Sequence, residues 1–254
     1  MRNKNSFIIA SAVAIFLTIF LYALLHHLEF DSIANIIPLV IPIVAALFIF
    51  NASRFYKHRS YDRKLWFLFA IGMIFWFLGE VVWFYYESML AIYPFPTFGD
   101  VFFVLGYCFM IAGLLLYFKL LKDFISLKNT IVPLIFAIIA AIIVSKLLVF
   151  PILMSTEYDF LSKLFSTSYL ILDFTILVIG FVLIRFSSRA WGIVILSFMF
   201  ITIADIIFAY IDWFGLYSAF DVLLNNLWLI GYMLLAVAAQ KQKLIFLNHK
   251  LFDR

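Results

Sequence analysis

Three carboxylic acids, Glu80, Asp173 and Asp205, stand inside long apolar stretches of this chain. An acid at the centre of a membrane helix costs about 2.5–3.5 kcal/mol on insertion scales, so it faces other helices or a water-filled cavity and marks a functional site by default. Three kinds of chemistry suit such groups: binding a cation or polar ligand, moving a proton, or tying helices together by hydrogen bonds. Glu80 lies fourteen residues beyond Trp66, about 21 Å along a helix, which places it in the outer part of the membrane. Asp173 lies ten residues beyond Lys163, about 15 Å along its helix and so near the midplane.

Neighbouring residues share faces with these acids. Trp76, Glu80, Trp83 and Glu87 repeat at helical spacing and form one stripe, and Thr202, Asp205, Ala209 and Asp212 are expected to form a similar one. Asp100, Phe103 and Tyr107, then Asn225, Trp228 and Tyr232, add polar and aromatic groups, and Ser166 and Tyr169 accompany Asp173. The expected site is an outer-half cavity rich in carboxylates and rings, with Glu80, Trp83, Asp100, Tyr107, Asp173, Asp205, Trp228 and Tyr232 as the candidate ligand-binding residues. A structural reading stands beside it: Tyr107 and Tyr232 could hydrogen-bond the acids simply to hold helices together. Tyr85, Tyr86 and Trp213 read as an interfacial aromatic belt.

Established catalytic patterns are missing. His26 and His27 border one loop and His58 and His249 lie in others, so no metal set assembles from the sequence. There is no HExxH, GxSxG or phosphate-binding glycine loop and no Cys–His pairing. No catalytic residue, metal or cofactor is expected, and the single cysteine, Cys108, reads as a small buried hydrophobe.

The elements that must position the acids are membrane spans. With 67% hydrophobic and 13% charged residues and a mean hydropathy of +1.14, the chain is far from the roughly 45–50% apolar and about 25% charged make-up of a soluble domain. Disorder, a disulfide scaffold and collagen are excluded by the same numbers. Eight runs reach the length needed to cross a bilayer, at about Phe7–Leu25, Ile33–Ala52, Leu65–Tyr86, Val101–Phe118, Ile131–Phe150, Leu161–Ile184, Ala190–Phe214 and Phe220–Ala239. The fold class is therefore all-α, a single polytopic membrane domain over 1–254. The first run exceeds a cleavable signal's apolar core and reads as an uncleaved span. Pro94 and Pro96 make the stretch after the third span a rigid turn, and Thr97 is placed to cap the fourth.

Charge placement sets the expected orientation. Of the 18 Lys and Arg, all but Lys146 and Lys163 fall on one side: Arg2 and Lys4; Arg54, Lys57, Arg59, Arg63 and Lys64; Lys119, Lys122 and Lys128; Arg185 and Arg189; and Lys241, Lys243, Lys250 and Arg254. Glu29, Asp31, Glu87, Asp100, Glu157, Asp159, Asp212 and Asp221 mark the other. The positive-inside rule puts both termini in the cytoplasm. The +4 net charge thus reports topology, and no nucleic-acid partner is implied.

An internal duplication is also legible. At a separation of 125 residues Trp66 meets Trp191, Glu80 meets Asp205, Tyr85 meets Tyr210, Glu87 meets Asp212, and Gly106-Tyr107 meets Gly231-Tyr232. Four spans per repeat is even, so repeat one (about 1–125) and repeat two (about 126–254) are expected to run parallel. The loop Arg54 to Lys64 is longer than Arg185 to Arg189, which implies an insertion or deletion there.

Leu65-Trp66, Gly79-Glu80, Trp83, the run Pro94 to Phe103, and Gly106-Tyr107 together resemble the N-terminal multi-span membrane region of bacterial and archaeal diguanylate cyclases and sensor histidine kinases. Tyr169, Asp173, Asp205, Tyr210, Leu227-Trp228 and Gly231-Tyr232 are similar to its second half, so the resemblance covers roughly 64–240. Glu80 and Asn225 depart from it, standing where Asp is common. The resemblance implies a sensory input module in the cytoplasmic (inner) membrane of a prokaryote. With about fifteen residues following the eighth span, signalling is expected to pass to a separate cytoplasmic partner. The basic tail Lys241 to Arg254 is expected either to meet that partner or to lie on anionic lipid. Besides the bilayer itself, the expected partner is a small-molecule, lipid-like or cation ligand.

Two other classes stay open. Carboxylates at a repeat interface also suit a transporter or proton-coupled carrier, although Pro38 and Pro42 in the second span, taken as helix breakers, have no Pro counterpart in the sixth. An intramembrane lipid-modifying enzyme with paired acids is the third reading.

Overall fold

The computed structural model describes residues 2–93, 95–121, 123, 127–156, 159–184, 188, 190–214 and 217–252. It is all-α, and among the described residues eight helices are long and apolar enough to cross a membrane. The chain is a multi-pass membrane protein. In order the helices are α1 (Arg2–His27), the single turn α2 (Asp31–Ala34), α3 (Ile36–Ser53), α4 (Tyr61–Phe84), α5 (Phe98–Leu121), α6 (Leu127–Val144), α7 (Phe150–Met154), α8 (Phe160–Ile184), α9 (Ala190–Trp213) and α10 (Tyr217–Phe252). Wide π-helical turns extend α4 over Tyr85–Met89 and join α6 to α7 over Ser145–Val149. Of the charged residues used above for orientation, Lys122, Glu157, Arg185, Arg189 and Arg254 lie outside the described residues, as does Pro94.

Local chemistry explains the boundaries. Ser60 caps α4 by accepting from the Arg63 N–H at 3.3 Å. Thr97 and Asp100 form a reciprocal capping box at the start of α5: Thr97 Oγ1 accepts from the Gly99 N–H at 3.0 Å while Asp100 Oδ2 accepts from the Thr97 N–H at 2.5 Å. Asp159 caps α8, accepting from the Ser162 N–H at 2.7 Å, and that bond holds its carboxyl below the usual range.

α4 packs between α3 and α5, α9 between α8 and α10, and the two sets close on each other through α3 against α10 and α5 against α8. α1 lies outside on α10, and α6 lies outside on α8. Their outward Ile, Leu, Val and Phe side chains are exposed, as lipid-facing residues must be. At the centre Trp66 meets Trp191 with ring centroids 6.4 Å apart, and Tyr117 stacks on Trp191 at 4.5 Å.

Small residues let helices touch. A Cβ at Gly106 would come within 2.9 Å of the Gly72 carbonyl oxygen and closer still to the Trp76 ring, so α4 and α5 meet backbone to backbone there. α9 and α10 meet at Gly231, where a Cβ would be 3.2 Å from the Ser197 carbonyl oxygen.

Two expectations are corrected. Cys108 is exposed, because α5 buries the face carrying Gly106, Tyr107, Met110 and Gly113 and turns Cys108 away from it. α3 runs unbroken through Pro42, and Pro38 sits in its first turn, where its missing N–H costs nothing. The basic tail continues α10 as far as Phe252, since no Gly or Pro follows Gly231 to stop it. The start of that tail packs on the protein: Phe246 meets Tyr56 at 4.9 Å, and Lys243 lies 3.8 Å over the Phe55 ring and donates to Asn51.

Candidate functional site

One region gathers the acids and rings. It is a partly open cavity of about 650 Å³, counting its mouth. α4 contributes Trp76, Glu80 and Trp83, and its π-helical extension adds Glu87. From α5 come Asp100, Phe103 and Tyr107; from α8, Tyr169; from α9, Ile201, Asp205 and Phe208; from α10, Asn225, Trp228 and Tyr232.

Seven of the eight residues singled out in the sequence line this cavity. Asp173 does not: it stands behind Tyr107, 1% exposed. The expected α9 stripe is also corrected. Ile201, Asp205 and Phe208 face the cavity, whereas Ala209 packs with Leu148, Ile152 and Leu170. Asp205 belongs to both possible i, i+4 rows, and the packing of α9 between α8 and α10 selects the row one position earlier. Ile201 and Phe208 were therefore missed, although the 125-residue offset applied to Trp76 and Trp83 lands on them.

The hydrogen bonds separate the acids by role. Tyr107 OH lies 2.7 Å from both Asp173 Oδ1 and Asp205 Oδ2. A phenol carries one hydrogen, so Tyr107 bridges the two acids while donating fully to only one of them at a time. Asp205 also accepts from Trp228 Nε1 at 2.7 Å, which gives it two donors and suits it to the charge. Asp173 Oδ2 is buried without a hydrogen bond, a position tolerable for a neutral carboxyl and costly for a carboxylate.

Asp100 is equally committed. Its Oδ2 serves the capping box with Thr97, and its Oδ1 accepts from Tyr169 OH at 2.6 Å. At the π-helical turn, Glu87 Oε1 accepts from Tyr93 OH at 2.9 Å. Glu80 differs. Tyr232 OH donates to its Oε1 at 3.0 Å, and no bond among the described residues engages Oε2. Glu80 and Glu87 thus each have one oxygen with no bond among the described residues, and of the two Glu80 lies within α4 itself, deeper in the span.

Rings build the walls. Trp76 lies 5.1 Å from Tyr107 and 5.5 Å from Tyr232, and its Nε1 donates to the Phe103 carbonyl at 3.1 Å. Phe208 meets Trp83 at 6.5 Å and Trp228 at 6.0 Å. No group of three or more His, Cys, Asp or Glu arranged to hold a metal occurs among the described residues.

The lining has an internal order. Of its 14 residues, 12 fall into pairs 125 positions apart: Trp76 with Ile201, Glu80 with Asp205, Trp83 with Phe208, Asp100 with Asn225, Phe103 with Trp228, and Tyr107 with Tyr232. The bonds cross between members: Tyr107 reaches Asp205, and Tyr232 reaches Glu80. Comparison with known protein families, curated proteins and solved structures finds no match to this chain.

Proposed function

We propose that the chain is a sensory, ligand-binding membrane module built from two parallel four-span repeats that enclose one site between them. The observation that carries this reading is the paired lining together with the crossed tyrosine–carboxyl bonds. Two duplicated halves facing each other about an axis along the membrane normal bring equivalent residues to one cavity, and each half's tyrosine then meets the other half's acid. A ligand seated there touches both halves at once. It can therefore favour one arrangement of the halves over another, which is what a sensor requires. The placement of basic residues supports cytoplasmic termini and a cavity in the outer half of a prokaryotic inner membrane. Loops on the cytoplasmic side and the extended α10 would carry the change to a separate signalling partner.

The test is a thermal-unfolding screen of the chain in lipid nanodiscs against cationic, neutral and anionic small molecules and lipids. A ligand at 100 times its Kd adds about 2.7 kcal/mol to stability, and Ile201→Trp, which fills the cavity, should abolish that gain. Failure of every compound to stabilise the protein would count against a binding site.

The two buried acids Asp173 and Asp205, bridged by Tyr107, favour a proton-coupled carrier as the second reading. Proteoliposome uptake driven by a pH gradient and lost in Asp173→Asn would decide for it.

A further inference from the structure

The cavity's own chemistry narrows what it takes. Four of its lining residues are acids and none is Lys, Arg or His, so no positive charge of the lining answers an anionic ligand. Of those acids, Asp205 is satisfied by Tyr107 and Trp228, and Asp100 by Thr97 and Tyr169. Glu87 shares one oxygen with Tyr93 on the π-helical turn that ends the span. Glu80 alone combines a position within α4, a single partner and an oxygen without one.

The same cavity is lined by the rings of Trp76, Trp83, Phe208, Trp228 and Tyr232. Aromatic walls attract a cation through their ring quadrupoles and more strongly where water is excluded. A bare metal ion is a poor fit, because such ions ask for several oxygen ligands at once and no cluster of three ligating residues occurs among the described residues. Resting on the ligand-binding reading above, we infer that the ligand is a small organic cation, a protonated amine whose ammonium group donates to Glu80 Oε2 while its carbon stem lies among the rings. The N–H bonds would set the amine's direction, and the rings would exclude water from the pair.

Intrinsic fluorescence offers a direct readout, since three of the chain's six Trp, Trp76, Trp83 and Trp228, line the cavity. The full chain in nanodiscs would be titrated with butylammonium, with 1-butanol as its neutral counterpart and with butyrate as its anionic one. Saturable quenching by butylammonium is expected, with 1-butanol and butyrate at least tenfold weaker. Glu80→Gln should weaken butylammonium at least tenfold, and Asp159→Asn, far from the cavity, should leave it unchanged. Should Glu80→Gln fail to fold, the ranking of the three probes on the natural sequence still decides the matter. If 1-butanol binds as tightly as butylammonium, or butyrate binds better, the cation assignment is overturned while the binding site stands. Silence from all three also overturns it, and the broader stability screen then decides separately whether the cavity binds anything.

Discussion

Replacing Tyr107 by Phe removes one oxygen and keeps the ring, so it isolates the bridge between Asp173 and Asp205. Both bonds are 2.7 Å long, and both acids are nearly fully buried, at 1% and 8% exposure. Polar contacts between membrane helices contribute about 0.6–2 kcal/mol each. Each buried oxygen left unpaired adds about 1–3 kcal/mol, less whatever the two acids recover through other partners. A loss of about 2–4 kcal/mol is expected. Tyr232→Phe is the matched control: it removes one 3.0 Å bond to Glu80, whose carboxyl faces a cavity that water can enter, so the loss should stay near 1 kcal/mol. The assay is reversible unfolding in mixed micelles of rising SDS fraction, followed by near-ultraviolet circular dichroism. The stacked Tyr117–Trp191 pair and the neighbouring Trp66 supply the tertiary signal. In a double-mutant cycle, Tyr107→Phe and Asp173→Asn should be clearly non-additive because they act on one bond. The reasoning is refuted if Tyr107→Phe lies within about 0.5 kcal/mol of the natural protein, or if Tyr232→Phe costs as much.

Further outcomes follow from the same coordinates. Gly106→Ala should destabilise by about 1–3 kcal/mol or more, because the new methyl meets the Gly72 backbone and the Trp76 ring. Gly192→Ala, with nothing within 4 Å, should be neutral or slightly stabilising in the same unfolding assay. Asp100→Ala should lower stability, by losing both the cap of α5 and the Tyr169 bond. Hydrogen exchange should show faster opening at the first turn of α5, whereas Asp100→Asn should retain part of the cap. The Asp159 cap of α8 should hold at neutral pH and weaken only in acid. Its carboxyl titrates below the ordinary range in the folded state, so its contribution is present above the ordinary value and lost as pH falls through the lowered one. Exchange at the Ser162 amide measured against pH checks this.

Much of this protein was readable along the chain. Apolar length fixes span number, because a helix must satisfy its own backbone to cross lipid, and the eight runs correspond to eight helices among the described residues. The cost of burying a carboxyl picks out Glu80, Asp173 and Asp205 without any structure. The separation of 125 residues pairs Glu80 with Asp205 and Tyr107 with Tyr232, and all four of these residues line the cavity.

Rotation about each helix axis and the partners supplied by distant helices were not readable. Cys108 and Tyr107 are neighbours in sequence, yet only packing sends one outward and the other to the centre. The sequence alone makes Asp173 the most costly acid and so the strongest functional candidate. The fold places it behind Tyr107, out of the cavity, because two acids 66 and 98 residues further along the chain converge on that one phenol. It leaves Glu80, held from 152 residues away by Tyr232, as the α4 acid with an oxygen to spare. An insertion cost depends on one side chain and its depth, so sequence carries it. Which acid is satisfied depends on donors brought by other helices, and only the tertiary structure decides that.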